Sequence, residues 1–304
     1  MEKVIVFGAS GFIGKAFINY LNEKSALLPI IVSPDNSTFI GERYESIEKI
    51  EITFESISCL SDNLKFNKYE YFVYLAWSGY GSATNDFNEQ VKNIKPVCDA
   101  VLQAKKLGCK RFVFASSFSE FMIAENEKKT HNQGASANVY GSVKHAARLI
   151  AHSVAKQNDI EFVSVAFANT FGIGDFSKRT PNLFIGNLIK NKDVNLTNGE
   201  HLYDWNYIDD TIEGLYLAMI KGKSDELYYI GNRIQKPLKE IVFEIKQILK
   251  SNSKINLGVY EENYFLDYSS IDIHKLYNHT GYLAKTDFSE AILKTTEWVK
   301  KIES

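Results

Sequence analysis

Tyr140, Lys144 and Ser117 are the residues whose types and spacing could do chemistry. Tyr140 and Lys144 stand four apart in Tyr-Gly-Ser-Val-Lys, which on a helix is one turn and one face. A free phenol ionises only near pH ~10, so it is a poor proton donor or acceptor at neutral pH. A neighbouring ammonium favours the phenolate and is expected to pull that ionisation towards the working range. Ser117 follows the apolar run 111–115. A hydroxyl at the end of such a strand could hydrogen-bond the same substrate oxygen as Tyr140. The Tyr/Lys spacing alone also fits a solvated pair on a helix surface, so the choice rests on the elements that would carry it.

Those elements begin at the N-terminus. Residues 4–7 are a β-branched and aromatic run, fitting a strand buried on both faces. The run enters Gly8-Ala-Ser-Gly11-Phe-Ile-Gly14 and then a helical pattern with Phe12, Ile13, Phe17, Ile18 and Leu21 apolar. Strand, glycine turn and helix together form the context of a dinucleotide fingerprint. The glycines admit a pyrophosphate to the N–H groups at the helix start. The spacing is GxxGxxG where GxGxxG is commoner, and a tight turn that binds nothing is the other reading. Gly8, Ser10, Gly11, Phe12, Ile13 and Gly14 are the first candidate cofactor contacts.

The second strand, residues 29–32, ends at Ser33, where an Asp or Glu usually meets a free ribose 2′-hydroxyl. No carboxylate stands there to repel a 2′-phosphate, and Lys15 follows the last glycine. NADP(H) is therefore expected ahead of NAD(H), with Asp35, two residues on, as the counter-argument. Strands at 69–75 and 111–115 flank a helical stretch from about 85 to 107, and a further helix at 142–157 leads to a strand at 161–167. Such alternation predicts an α/β fold with a doubly wound parallel (Rossmann) sheet whose ligands lie at the strands' carboxyl ends. Ser33, Leu75, Ala76 and Ala115, with Tyr140 and Lys144, complete the expected cofactor set there. Trp77 and Tyr80 are placed to touch substrate. Residues 124–137 are polar and read as a surface loop over the site.

Composition narrows the classes. The chain has 304 residues, 45% hydrophobic and 24% charged, with a formal net charge of −2. That suffices for one large domain and a smaller one. We expect residues 1–168 to form the dinucleotide-binding domain, rejoined by strands near 203–208 and 226–231. Residues 169–304 would form an interleaved substrate lobe. The charge balance suggests no nucleic acid, and no basic amphipathic stretch suggests a membrane. No apolar run approaches the roughly 18 residues of a span. Three widely spaced cysteines argue against disulfides and structural zinc, so a cytoplasmic protein is expected. His131, His201, His274 and His279 show no metal-ligand spacing, and His145 and His152 read as interface or solvent residues. Asp209-Asp210 reads as a helix cap. Tyr203, Trp205 and Tyr207 alternate as a strand packed in the core would.

Taken together, the glycine turn, Ser117 and Tyr140-xxx-Lys144 resemble the extended short-chain dehydrogenase/reductase family. The resemblance continues through Val91-Lys-Asn93-Ile, Lys110–Ser117, Asn169-Thr-Phe-Gly-Ile-Gly174 and Asp204-Trp-Asn-Tyr-Ile-Asp-Asp210. It implies Tyr140 as acid/base and Lys144 as the group that tunes it and holds the nicotinamide ribose. Ser117 would orient the reacting oxygen, and Asn93 would hold the tyrosine's helix. The implied substrate is a nucleotide-linked sugar, contacted by Trp77, Tyr80, Ser117, Ser119, Asn169 and Tyr203, and the implied assembly is a homodimer. Two departures are informative. Phe118-Ser119 stands where the family's sugar dehydratases carry Asp-Glu, with Glu120 one place late, so elimination of water is not expected. Tyr203 stands where many members carry the Arg that grips the substrate diphosphate. Lys178, Arg179 or the helix start near Pro181 would serve instead. The expected reaction is NADPH-dependent reduction of a 4-keto-6-deoxy nucleotide sugar, similar to the abequose-synthase type of reductase. Alternatives are an NAD-dependent C4 epimerase and a non-catalytic dinucleotide-binding scaffold.

Overall fold

The computed structural model describes residues 2–65, 68–81, 83–129, 138–177, 179–261 and 267–303. The first part of the chain is built from β1 (Lys3–Phe7), α1 (Phe12–Lys24), β2 (Leu28–Ser33), β3 (Lys49–Glu51), β4 (Tyr71–Tyr74), α2 (Phe87–Val91), α3 (Ile94–Lys106), β5 (Arg111–Ala115), α4 (Ser119–Lys129), α5 (Val139–Gln157) and β6 (Glu161–Phe167). There follow β7 (Asn169–Phe171), α6 (Thr180–Ile189), β8 (Val194–Asn195), β9 (Leu202–Tyr203), β10 (Trp205–Tyr207), α7 (Ile208–Lys221), β11 (Leu227–Ile230), β12 (Lys236–Pro237), α8 (Leu238–Ile248), β13 (Ile255–Asn256), α9 (Lys275–Thr280) and α10 (Phe288–Glu303). Among the described residues no helix is long and apolar enough to cross a membrane.

The central strands are apolar runs because both faces of their sheet are covered. Seven parallel strands lie in the order β11-β6-β5-β4-β1-β2-β3. Alternate residues of one strand feed two different cores. Val4 and Val6 pack with α1 and α7 residues such as Phe17, Leu21 and Leu215. Ile5 and Phe7 face the other way, towards Val97 and Val101 of α3 and Ala147 and Ala151 of α5. On that second face Phe72, Phe112 and Phe162 stack across three neighbouring strands, with centroids 5.2 and 5.8 Å apart. The chain runs outward from β1 to β3 and then restarts at β4 on β1's other side, so the crevice opens at the carboxyl ends of β1 and β4. Leu75 seals that switch point, its N–H donating to the carbonyl of Phe7 at 2.8 Å.

Several expectations change here. Residues 226–231 rejoin the sheet as β11 beside β6, but 203–208 do not. β10 pairs with β7 and β9 with β12, in separate two-stranded ladders. The edge strand β3, which lacks any apolar run, was not foreseen in the sequence. Residues 124–129, read as loop, continue the helix α4, while 130–137 lie outside the described residues. The helical stretch 85–107 is broken between α2 and α3. Asp210 does not cap α7. Its carboxylate instead accepts the N–H groups of Lys285 and Thr286 at 2.9 and 3.1 Å, tying down the approach to α10.

Candidate active site

Tyr140 sits in the first turn of α5, whose cap is Asn138, with its side chain accepting the Gly141 N–H at 2.9 Å. Lys144 follows one turn later and is 3% exposed, its Nζ donating to the carbonyl of Ala115 at 2.8 Å. Ser117, just past β5, lines the same cavity as Tyr140, and its hydroxyl favours the ionised phenol. Helix, strand end and turn thus bring the three chemical residues together in one cavity of about 520 Å³. Gly8, Gly11, Phe12, Ile13, Gly14, Leu75 and Ala115 line it on the side of the glycine turn. Trp77, Tyr80, Asn169, Arg179 and Tyr203 line its far side.

The electrostatics correct one sequence-based expectation. Burial, and next the negative charge Tyr80 would carry, raise the ionisation of Tyr140 well above its usual range, and the hydrogen bond from Ser117 only partly opposes them. Burial also pulls Lys144 down to about 7, with Glu120 opposing. In the free protein, then, the phenol is held protonated, and it is the ammonium whose charge is poised near neutrality. The reason is desolvation, which penalises both charged forms and outweighs a cation whose Nζ lies 5.9 Å from the tyrosine ring.

The glycine turn fits a dinucleotide. Gly8 has φ +91°, and a side chain there would come within 2.5 Å of the Ala76 nitrogen. A Cβ on Gly14 would strike the carbonyl oxygen of Gly8. Gly11, the N-cap of α1, bears no capping side chain, and the helix's first turn carries no acid. The helix start is therefore open to an anion. Ser10 lies just outside, lining a neighbouring cavity with Gly11, Phe12 and Lys15.

At the end of β2, Ser33 is fully buried, and its hydroxyl donates to the Asp35 carbonyl at 2.8 Å and to Asn36 Oδ1 at 2.7 Å. It is thereby engaged in shaping the turn. The exposed Asp35 carboxylate accepts from the N–H and hydroxyl of Ser37 at 2.7 and 2.9 Å.

On the far side of the cavity Arg179 adds a second cation to the wall that Lys144 also lines. It donates to Tyr80 Oη at 3.1 Å and to Ser177 Oγ at 2.9 Å, and pairs with the buried Asp175 at 3.2 Å. It also forms the N-cap position of α6, whose first-turn residues Thr180 and Pro181 line the same cavity. Lys178 lies outside the described residues.

Other candidates fall elsewhere. Asn93, expected to steady the tyrosine's helix, instead holds the loop after β4. It accepts from Ser78 N at 2.7 Å and donates to Ser78 O at 3.1 Å. Ser119 is buried at the start of α4, its N–H donating to Ser117 Oγ at 3.1 Å, and so supports Ser117 rather than lining the cavity. Glu120 is 1% exposed and turned towards α5, accepting from Arg148 Nε at 2.7 Å with His145 at 3.4 Å. Gln90 was missed altogether. It is fully buried, accepts from Trp77 Nε1 at 2.9 Å and donates to the carbonyls of Gly79 and Ala83 at 2.6 and 2.8 Å. Its place after the Asp86 cap of a short helix gave no hint that its amide organises the loop.

Known proteins share this framework. The model of the NAD dependent epimerase/dehydratase family matches residues 4–231. The chain is 22% identical to dTDP-glucose 4,6-dehydratase of Haemophilus influenzae over 98% of both chains. It is 26% identical to CDP-abequose synthase of Salmonella typhimurium over 86% of each. Among solved structures, UDP-glucose 4-epimerase of Thermotoga maritima, crystallised with UDP-glucose, superposes with a TM-score of 0.79 at 21% identity, covering 99% of this chain and all of that one. WbmF of Bordetella bronchiseptica, solved with NAD+ and UDP, gives 0.78 at 19% identity, covering 99% and 94%.

Proposed function

The chain belongs to the NAD dependent epimerase/dehydratase family, as an NAD(P)-dependent enzyme of the extended short-chain dehydrogenase/reductase type, and within it we propose a reductase that uses NADPH to reduce the 4-keto group of a 6-deoxy nucleotide sugar. The observation that carries this reading is the wall beside Ser117. Phe118 and Ser119 offer no carboxyl group there, and Glu120, the next residue, is turned towards α5 with its Oε2 accepting from Arg148. A site without an acid pair beside its hydroxyl can exchange hydride and proton but has no group to remove water.

Gly8, Gly11 and Gly14 would hold a reduced dinucleotide, which would supply the hydride for the carbonyl carbon. Tyr140 gives its proton to the carbonyl oxygen, and Ser117 hydrogen-bonds that oxygen. A phenol that burial keeps protonated suits this reductive direction. The lysine's charge stabilises the phenolate left behind and is available to the nicotinamide ribose. Arg179 and the N-terminus of α6 together would hold the substrate diphosphate, in place of the arginine that Tyr203 replaces. Support for NADPH is the β2 end, where the position of the usual acid holds a serine committed to its own turn. Support for a homodimer is the apolar exposure of Leu102 on α3 and Leu149 and Ile150 on α5. We place the reaction in the cytoplasm.

Mixing the purified protein with NADPH and a 4-keto-6-deoxy nucleotide sugar should consume the reduced-nicotinamide absorbance, one equivalent per hydroxyl formed. No consumption would sink the reading. A C4 epimerase with the same residues would carry tightly held NAD and turn over without added dinucleotide. Identifying the nucleotide released on denaturation separates the two.

A further inference from the structure

We infer that Trp77 is a positioning residue for Lys144: its indole face, oriented by Gln90, holds the buried ammonium in place and keeps it charged. The proposal rests on the catalytic reading of Lys144 above, but its geometry stands without it. Nζ of Lys144 lies 3.7 Å from the centre of the Trp77 ring. An ammonium has three N–H donors, and the Ala115 carbonyl at 2.8 Å takes one. The indole, the best of the aromatic cation acceptors, stands where a further oxygen would otherwise be needed.

The ring is not free to turn away. Its Nε1 donates to Gln90 Oε1 at 2.9 Å, and the same amide grips the carbonyls of Gly79 and Ala83. Gly79, at φ +77°, leaves the room that Gln90 occupies, since a Cβ there would come within 2.7 Å of Nε2. The loop so held also sets Trp77 and Tyr80 edge-on to Tyr140, with centroids 6.0 and 5.8 Å away. One buried amide thereby orients the indole that faces the lysine and the two rings that flank the phenol.

The charge has few other supports. Lys144 is fully enclosed, with the Phe114 ring 5.2 Å from Nζ on the β5 side and Tyr140 on its own helix. From α4, Glu120 favours the ammonium, but its carboxylate is shared with Arg148 and His145. Burial, which Glu120 only partly opposes, draws Lys144 down to about 7. A desolvated cation–π contact offsets part of that cost, about one pH unit in the ionisation.

The chain has three tryptophans, so fluorotryptophan labelling gives three fluorine resonances, and W77F assigns one of them. In the wild-type protein the Trp77 resonance should shift in a single step between about pH 5 and pH 10 as the ammonium ionises. K144M should abolish that step. A flat titration, or one that survives K144M, overturns the proposal. In turnover, W77L should move the high-pH limb of kcat/KM for the reduced dinucleotide down by about one pH unit, roughly tenfold in the protonation equilibrium, and W77F by less. An unmoved limb in W77L also overturns it. Failure of the wild type to reduce any 4-keto sugar would strike the proposed function while leaving the fluorine titration to judge this contact.

Discussion

Arg179 donates a hydrogen bond to Tyr80 Oη at 3.1 Å, joining the loop after β4 to the segment before α6 across the site. The guanidinium also lies 5.4 Å from the centre of the Tyr80 ring and pairs with Asp175, so it is held in place before any substrate arrives. A planar fork already oriented in this way loses little freedom on meeting a phosphate.

R179A should therefore raise KM for the nucleotide-linked substrate by about tenfold to a hundredfold, the worth of a charged hydrogen bond, with kcat within about threefold. R179K should fall between, because it keeps the charge and loses the fork. Steady-state kinetics would show it, and an unchanged KM in R179A would mean that the diphosphate is bound elsewhere.

Y140F removes one hydroxyl and leaves the ring contacts with Trp77 and Tyr80. We expect kcat to fall by about 10²–10⁴ while the denaturation midpoint hardly moves. Loss of the fold in step with activity would show a structural role instead.

Two glycines of one turn should behave differently. At Gly11, φ is −71° and a Cβ meets only the Gly8 oxygen at an ordinary 3.5 Å. G11A should keep its stability to within about 1 kcal/mol and weaken dinucleotide binding by tenfold or more, because the methyl fills the cradle. At Gly14 the added Cβ runs into the Gly8 carbonyl and the Ala9 backbone, so G14A should cost about 1–3 kcal/mol or more. Denaturant melts paired with dinucleotide titrations would test the contrast, and equal stability losses in the two variants would refute it.

Asp204 ties β10 to the chain after β11. It accepts from the N–H groups of Asn232 and Arg233 at 3.1 and 3.0 Å and from Tyr229 Oη at 3.2 Å. Burial nevertheless raises its carboxyl to about 6. A carboxyl raised above its unfolded value contributes stability that is full below that unfolded value and is lost as pH climbs through the folded one. The stability advantage of wild type over D204N should accordingly shrink between about pH 4 and pH 6, by up to about 3 kcal/mol. Urea melts across that range measure it, and an advantage that grows with pH would contradict the assignment.

Much of the architecture was readable because its causes are local. The apolar runs at β1, β4 and β5 and the glycine turn between β1 and α1 each carry their own signal. β10 was misplaced because three alternating aromatics look the same whether the strand joins the main sheet or a two-stranded ladder with β7. β3 pairs only at an edge, in register Ile31↔Lys49, so its polar composition gave no sign of it.

By itself, the sequence determined the switch-point crevice and the residues that meet there: Tyr140, Lys144, Ser117 and the glycines all line one cavity. Their types and intervals suffice for that, because strand–turn–helix units place them within a few residues of a strand's end. Only the tertiary structure decided which charges survive. Enclosure holds the phenol protonated and leaves the ammonium against Trp77, and it was Gln90, whose role had no local signature, that set the indole there. Desolvation and ring orientation depend on what surrounds a group in space, and neighbours distant in sequence supply nearly all of that.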